Sequence, residues 1–349
     1  MGNRITRVVL AILLAGMIPV TGSATLQDKS SEQNKNAAQQ HANNLVGNDS
    51  KTASLKRENT ELAQKSQRKP SDKLILGTDL VSLNVTVTDT YGRFVTGLKK
   101  EHFEVYDEKV KQRIEFFSDE DSPVSLGLVY DVSGSMKSRA SRSIRALTRF
   151  FETSHTDDDY FLMAFNDRAR LVQDFTTSAD QILSRLMFVE AKKSTALYDA
   201  AYLAVEKVRQ GRHTKKALLI ISDGQDNQSR YTYKELRNRV KEADVIIYAI
   251  GITDPYNDSL SGYGRSILTE MARMTGGRAF FPTAYNELEL VEICTRIALE
   301  LRHQYALGFY PTDKADKEEW RDLKVKIKPP RGLGRLAVIH REGYQAFKK

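Results

Sequence analysis

Cysteine is almost absent from the chain, with one residue, Cys294, among 349. A single thiol excludes an intrachain disulfide framework, a cysteine-based zinc finger and an iron–sulfur cluster held by one chain. The six histidines show no HExxH motif or paired spacing, so a catalytic zinc is not expected. A bound metal ion must therefore use oxygen or histidine ligands.

Long apolar runs are missing beyond the N-terminus. The run at residues 8–20 follows Arg4 and Arg7 and precedes three small residues that end at Ala24. This pattern is typical of a signal peptide, here residues 1–24, and predicts export to the periplasm, cell surface or extracellular space. A bilayer-spanning helix needs about 20 apolar residues. An uncleaved membrane anchor is the alternative, and no integral membrane span is expected after cleavage.

Aromatic residues are absent from residues 25–72, which are rich in Gln, Asn, Lys, Ser and Ala. The segment also has no sustained apolar period. Such a composition offers too little apolar surface to form a core, so we predict a disordered linker. The folded part of the chain is then expected to begin at residue 73.

Neither sign of charge dominates, because 53 Lys and Arg residues stand against 45 Asp and Glu residues, a formal net charge of +8. This excess favours an anionic partner without identifying it. The basic clusters lie beside acidic or apolar residues without interleaved aromatics, so nucleic-acid binding is not expected. The motifs of a nucleophile elbow and a phosphate-binding P-loop are also missing, and we predict a protein without enzymatic activity.

The two flanks of the folded part, residues 73–122 and 304–349, are predicted to form β-strands. Residues 80–88 alternate apolar and polar side chains and end in a turn signal. Each flank has about 50 residues, too few for a stable sheet structure, but together they match the size of one β-sandwich. We therefore predict one smaller, discontinuous β-sandwich domain, with two separate β modules as the alternative. The other predicted strands are 102–106, 112–117, 305–310, 323–327 and 336–339.

The middle of the chain, residues 123–303, alternates apolar runs with amphipathic helical stretches. This alternation predicts an α/β domain with a doubly wound, mainly parallel sheet, inserted between the strands of the sandwich. Its last helix, at residues 287–302, has an apolar face that includes Leu290, Cys294, Ile297 and Leu301. The predicted strands are 124–130, 160–165, 217–221, 245–250 and 278–281.

Oxygen-bearing side chains lie in three loops of the predicted α/β domain. Asp131, Ser133 and Ser135 come directly after the strand at 124–130, Thr195 precedes a predicted helix, and Asp223 follows the strand at 217–221. Loops beyond the carboxyl ends of parallel strands are where α/β sheets bind ligands. These five residues form a hard-ligand set suited to Mg²⁺ or Mn²⁺, with Ca²⁺ as an alternative. The other interpretation is that the serines only cap the following helix.

The ordered set Asp131-x-Ser133-x-Ser135, Thr195 and Asp223-Gly224 resembles the metal-ion-dependent adhesion site (MIDAS) of von Willebrand factor A (VWA) domains. The resemblance covers about half of the chain. It implies that Asp131 and Asp223 neutralise the ion partly through water, while the three hydroxyls coordinate it directly. It also implies an open coordination position that a carboxylate of a protein partner completes.

The folded part as a whole also looks like exported bacterial proteins related to von Willebrand factor A, including residues 84–97 and 341–344. One departure from the family lies before Thr195, where small residues are expected and Lys192 and Lys193 stand instead. Two ammonium groups there could weaken metal binding or attract an acidic partner. Asp199 and Asp226 are candidates for the metal shell, but a supporting role for Asp199 and a solvated loop position for Asp226 are favoured.

These features predict an exported, non-catalytic binding or adhesion protein that uses a divalent metal to bind an acidic residue of a protein partner. The alternative is an accessory or scaffold subunit of a cell-envelope assembly or of a machine resembling metal-inserting chelatases. An ATPase partner would favour the second prediction, and a surface or matrix ligand the first. A metal-dependent hydrolase is a third hypothesis, against which stands the lack of a recognisable general base or nucleophile. No oligomeric state is predicted.

Overall fold

The computed structural model describes residues 80–189, 194–252, 262–282, 286–313 and 318–346. All of these residues lie in one compact unit, Leu74–Lys349. The predicted signal peptide (1–24), the predicted linker (25–72) and the pair Lys192 and Lys193 lie outside the described residues. The domain boundaries given above stay predictions.

The N-terminal flank forms strands because its apolar residues alternate with polar ones. Along the first strand Val81, Leu83 and Val85 are buried, as expected for a strand with one face toward a core. A short 3₁₀ helix, Lys100–His102, precedes the second strand. The strands of this flank are β1 (Val81–Thr88), β2 (Phe103–Asp107), β3 (Val110–Gln112) and β4 (Ile114–Ser118).

The central region alternates strands with helices. Its first strand is buried along its whole length, which is typical of a strand covered on both faces of a sheet. The strands here are β5 (Val124–Asp131), β6 (Asp159–Phe165), β7 (Ala169–Thr176), β8 (Lys215–Ser222), β9 (Ile246–Gly251) and β10 (Ala279–Phe280). The helices are α1 (Ala140–Thr153), α2 (Ala179–Met187), α3 (Leu197–Val208), α4 (Tyr233–Glu242), α5 (Gly262–Thr275) and α6 (Glu287–Arg302).

The central strands form one six-stranded sheet in the order β10-β9-β8-β5-β6-β7, in which only β7 runs antiparallel to its neighbour. Separate apolar cores cover its two faces: α1, α2 and α6 contribute to one and α3, α4 and α5 to the other. The predicted fold, a mixed α/β domain with a doubly wound, mainly parallel sheet, is confirmed. Strand β7 was not predicted, because most of its side chains are partly or fully exposed and its apolar pattern is weak.

The C-terminal helix of this region agrees with the prediction in both bounds, Glu287–Arg302. Leu290, Cys294, Ile297 and Leu301 are all buried on its inner face, so the only thiol of the chain is a core group. Burial raises the pKa of Cys294 to about 12, which keeps it as an unreactive thiol.

The C-terminal flank completes the β structure that the N-terminal flank begins. Its strands are β11 (Tyr305–Phe309), β12 (Glu319–Ile327), β13 (Ala337–Ile339) and β14 (Gly343–Ala346). One sheet has the order β13-β1-β11-β4 and the other β14-β12-β2-β3, so each sheet mixes strands from both flanks. The two sheets share one apolar core that includes Val85, Val105 and Phe309. This arrangement is the predicted single, discontinuous β-sandwich and not two separate modules.

The prediction of one strand over residues 112–117 is wrong. At Arg113 the chain leaves β3, which pairs with β2 in one sheet, and enters β4, which pairs with β11 in the other. A strand that changes sheets makes a corner of the sandwich. Strand β14 was not predicted either. Among the described residues, no helix combines the length and the apolar character needed to cross a bilayer.

Candidate functional site

Two strand ends bring the predicted carboxylates to the same edge of the central sheet. Strands β5 and β8 are parallel neighbours, and Tyr130 pairs with Ile221. Asp131 ends β5, and Asp223 follows Ser222, the last residue of β8. Both carboxylates are buried, with exposed fractions of 0% for Asp131 and 3% for Asp223. They therefore lie where parallel α/β sheets bind ligands.

The carboxylate of Asp131 is held by hydrogen bonds at both oxygens. The backbone N–H of Ser133 donates to Oδ1 at 2.8 Å, and the hydroxyl of Ser222 donates to Oδ2 at 2.7 Å. The Ser133 side chain also hydrogen-bonds this carboxylate. Burial, followed by the nearby charge of Asp223, raises the pKa of Asp131 to about 6 despite these bonds. Two buried carboxylates that repel each other would be stabilised by a bound cation.

The loop after β5 contains the two predicted serine ligands. Ser133 is buried and precedes the 3₁₀ helix Gly134–Arg139, which includes Ser135. The side chain of Ser135 lies outside the described part of the structure. Arg139 is buried and donates from Nη1 to the carbonyl oxygen of Ile252 at 3.0 Å, which fixes the helix against the end of β9. Ser133 makes no side-chain cap to this helix, so the simple capping interpretation does not describe it.

Thr195 is buried in the loop before α3 and is held by backbone contacts. Its N–H donates to Oδ1 of Asn227 at 3.0 Å, and its carbonyl oxygen accepts from the N–H groups of Asn227 and Gln228 at 2.9 and 3.1 Å. The N–H of Ala196 donates to the carbonyl oxygen of Asn166, just beyond β6, at 2.7 Å. The loop of Thr195 is thus attached both to the loop that follows Asp223 and to the end of β6.

Asp199 and Asp226 join the start of α3 to the loop after β8. Asp226 accepts a hydrogen bond from the backbone N–H of Tyr198 at 3.0 Å, and Asp199 accepts from those of Arg230 and Tyr231 at 2.8 and 2.9 Å. The expectation that Asp226 is a solvated loop residue is wrong, because it binds an N–H group in the first turn of a helix. Both carboxylates position the loops around Thr195.

Two residues at this edge of the central sheet were not identified from the sequence. Ser222 binds Asp131 through its hydroxyl and also accepts from the N–H of Gly224 at 3.0 Å. Asn227 positions Thr195 as described above. The pairing of β5 with β8 could have pointed to Ser222, since the residue beside a strand-end carboxylate faces the same edge. No sequence signal distinguishes Asn227 from other polar loop residues.

The donor chemistry of this edge fits a small divalent cation. It offers two buried carboxylates together with serine and threonine hydroxyls, all of them hard oxygen ligands. Within the described residues, no group of three or more His, Cys, Asp or Glu side chains could hold a metal ion. A site here would therefore need hydroxyl or water ligands in addition to Asp131 and Asp223.

One protein family matches the part of the chain that contains this edge of the sheet. Residues 126–225 match the von Willebrand factor type A domain. That span contains all five predicted ligand residues, from Asp131 to Asp223. No curated protein sequence matches the chain.

Several solved structures are similar to parts of this chain. BatB from Bacteroides thetaiotaomicron, a conserved hypothetical protein, is 15% identical over 51% of this chain and 98% of its own, with a TM-score of 0.42. The vWF domain of the type V pili tip protein Mfa5 from Porphyromonas gingivalis is 12% identical over 52% and 97%, with a TM-score of 0.43. The von Willebrand factor type A protein from Catenulispora acidiphila is 11% identical over 77% and 75%, with a TM-score of 0.45.

Proposed function

We propose that this chain is an exported, non-catalytic binding protein whose A-type domain uses a divalent cation to bind a carboxylate of a protein partner. The proposed ligands of the cation, Mg²⁺ or Mn²⁺, are Asp131, Ser133, Ser135, Thr195 and Asp223. The match of residues 126–225 to the type A domain supports a role in binding other proteins.

The observation that carries the proposal is the buried pair Asp131 and Asp223 at the carboxyl end of the sheet. Two carboxylates excluded from water destabilise one another unless a cation lies between them or a proton neutralises one of them. Ser222 and Ser133 hold the Asp131 carboxylate in one orientation, so the chain itself provides a fixed anionic edge.

The charge of the proposed ligand set supports a carboxylate as the group that the partner supplies. Only Asp131 and Asp223 carry charge, while the other proposed ligands are neutral hydroxyls. A Mg²⁺ site in proteins commonly keeps water ligands as well as one or two carboxylates. An acidic side chain of the partner could replace such a water, which would make binding depend on the metal.

Water-proton relaxation with Mn²⁺ tests this bridging role. Mn²⁺ bound to the chain should enhance the relaxation of water protons, and acetate should lower that enhancement by displacing a bound water. Acetamide, which has the same shape without the charge, should leave it unchanged. A Thr195→Val variant should show no enhancement, whereas Asp313→Asn, at an exposed position outside the site, should behave as the wild type. An equal enhancement in Thr195→Val, or no response to acetate, would refute the proposal.

A further inference from the structure

A second candidate site lies on the β-sandwich, in a cavity of about 900 Å³. One wall is the outer face of the sheet that contains β12, where Lys324 and Lys326 alternate with the buried Leu323 and Val325. The other wall comes from strand β13 and from the end of α5, where Arg273 lies. The volume is in the range of ligand-binding clefts.

Three lysines give this cavity its positive character. Lys109, Lys324 and Lys326 line it, and in the part of the chain that the structure describes no carboxylate lies within 4.0 Å of their ammonium groups. Arg273, by contrast, is paired with Glu342 at 2.6 Å. The Lys326 ammonium lies 4.7 Å from the centre of the Tyr106 ring, which holds it along the sheet. These groups are available to an anionic ligand.

The same cavity also presents hydrogen-bond acceptors and aromatic edges. Asp322 accepts from the indole N–H of Trp320 at 3.0 Å, and Glu108 accepts from the backbone N–H of Asp322 at 2.7 Å. Each carboxylate has oxygen lone pairs beyond the bond named here. A ligand with carboxylates alone would be repelled by Asp322 and Glu108. A ligand that has both carboxylates and hydroxyl donors would use the lysines and these two acceptors.

The turn that contributes Lys109 is strained. Glu108 and Lys109 join β2 to β3 with φ angles of 46° and 71°, in the left-handed region that favours glycine. Glu108 is held there because its N–H donates to the carbonyl oxygen of Asp322 at 3.0 Å. The chain thus keeps two charged side chains at a turn where Asn-Gly is the unstrained choice. Retained strain of this kind is more frequent at binding sites.

An extended peptide does not suit the cavity. A peptide bound as an added strand needs an open sheet edge. Beside the cavity the edge of β12 is already covered, because Leu323 donates its N–H to the carbonyl oxygen of Glu342 at 2.7 Å and Val325 donates its N–H to Nε2 of His340 at 3.1 Å. Side chains of the cavity, and not backbone pairing with β12, must therefore recognise the ligand.

We propose that this cavity binds a carboxylated oligosaccharide of the uronic-acid type, independently of any metal ion. The lysines would bind the sugar carboxylates, while Asp322 and Glu108 would accept from the sugar hydroxyls. This site is separate from the proposed function of the A-type domain and does not depend on it.

Titration calorimetry with tetragalacturonate in the presence of EDTA tests the proposal, and EDTA removes any contribution from the metal site. The wild-type chain should bind tetragalacturonate and bind its methyl ester, which lacks the charges, about tenfold more weakly. The double variant Lys324→Ala/Lys326→Ala should also lose about tenfold in affinity. The control Lys100→Ala/Lys234→Ala, at exposed positions outside the cavity, should bind as the wild type.

Two further variants separate the ligand class from simple charge attraction. Asp322→Asn should weaken tetragalacturonate binding if Asp322 accepts from a hydroxyl, and it should strengthen binding if the cavity only attracts anions. Lys109→Gly should weaken binding while raising the melting temperature, so a loss there cannot come from unfolding. The proposal is overturned if tetragalacturonate does not bind, if its ester or tetraglutamate binds equally well, or if Lys324→Ala/Lys326→Ala has no effect.

Discussion

Asp131 and Asp223 are both excluded from solvent, although they belong to the most strongly hydrated class of side chain. Burial and the neighbouring charge raise the pKa of Asp131, which means that its charged form is less favourable in the folded chain than in the unfolded chain. Ser222 and the N–H of Ser133 offset only part of this cost. The pair thus lowers the stability of the metal-free fold, as is common for groups kept for binding.

Replacing Asp131 by asparagine should therefore stabilise the metal-free chain. We expect the free energy of unfolding of Asp131→Asn at neutral pH to rise by about 2 kcal/mol, because the unfavourable buried charge is removed while the side-chain size is kept. Urea unfolding in EDTA measures this difference, with Asp313→Asn as the control. A destabilised Asp131→Asn variant would show that the carboxylate is not under electrostatic strain.

The strained turn at Glu108 and Lys109 leads to a second prediction for a single residue. Lys109→Gly should raise the free energy of unfolding by about 1 kcal/mol, because glycine adopts a positive φ without the Cβ clash. The gain is smaller than the full strain, since glycine is also more flexible in the unfolded chain. Urea unfolding measures it, and Lys111→Gly in the neighbouring strand should destabilise instead. Equal effects of the two substitutions would contradict the role of the turn.

Some residues of the candidate site could be predicted from the sequence, and others could not. Asp131 and Asp223 follow long apolar runs, so their places at strand ends were readable from the chain alone. Asn227 acts through a contact with a residue that is distant in sequence, which no local pattern encodes. Ser222 could be found only by pairing β5 with β8. The metal shell itself stays a prediction.

At the scale of elements, the loop after β8 positions the loop of Thr195. Asn227→Ala removes the acceptor for the N–H of Thr195 and should weaken Mn²⁺ binding about fivefold to tenfold, the loss expected for one positioning hydrogen bond. Asn227→Asp keeps that acceptor and should retain more affinity than the alanine variant. Calorimetric titration of Mn²⁺ measures both. If Asn227→Ala binds as tightly as the wild type, this loop contact does not shape the site.

A lysine of strand β8 donates a hydrogen bond to the last turn of helix α6. The ammonium of Lys215, in β8, donates to the carbonyl oxygen of Leu301 at 2.8 Å, and burial lowers the pKa of Lys215 to about 8. Between about pH 8 and pH 10 the unfolded chain therefore binds more protons at this residue than the folded chain, so this term increases stability as pH rises.

Lys215→Met removes that titration. The free energy of unfolding of the wild type minus that of the variant should increase from pH 7.5 to pH 9.5, and denaturant unfolding at each pH gives this difference. The other titratable groups are the same in both chains, so their contributions cancel in this difference. A difference that stays constant over this range would contradict the lowered pKa of Lys215.

Element prediction succeeded where burial imposed a clear period and failed where it did not. Helix α6 and strand β5 have uninterrupted apolar faces and were predicted closely. Strand β7 is an edge strand with half-exposed side chains, and the corner at Arg113 lies inside one alternating run. Alternation shows that a segment is extended, but it does not show to which of two sheets the segment belongs.

At the scale of the whole molecule, the two flanks depend on each other. Each sheet of the sandwich takes two strands from each flank, whereas the central sheet takes all its strands from the middle of the chain. The strand patterns and the size of the two flanks, about 50 residues each, were enough to predict a shared sandwich. The strand order could not be predicted, because it depends on pairings between residues more than 200 positions apart.

Removing residues 303–349 should therefore unfold the N-terminal strands and leave the central region folded. Without β11 and β12, strands β1 and β2 lose their main partners, while both cores of the central sheet remain complete. Limited proteolysis with mass spectrometry should show rapid cleavage within 81–118 and protection of the strands and helices of the central region. If 81–118 is protected equally in the shortened and full chains, the flanks fold independently.

The central claim, a divalent-metal site at the strand ends, is tested most directly by calorimetric titration of Mg²⁺ and Mn²⁺ into the wild type, Asp131→Asn, Thr195→Val and the control Asp313→Asn. We predict one binding site in the wild type and in the control, and no binding in the other two variants once circular dichroism shows that they are folded. A folded wild type that binds neither ion at millimolar concentration would contradict the claim, as would unchanged binding in both site variants.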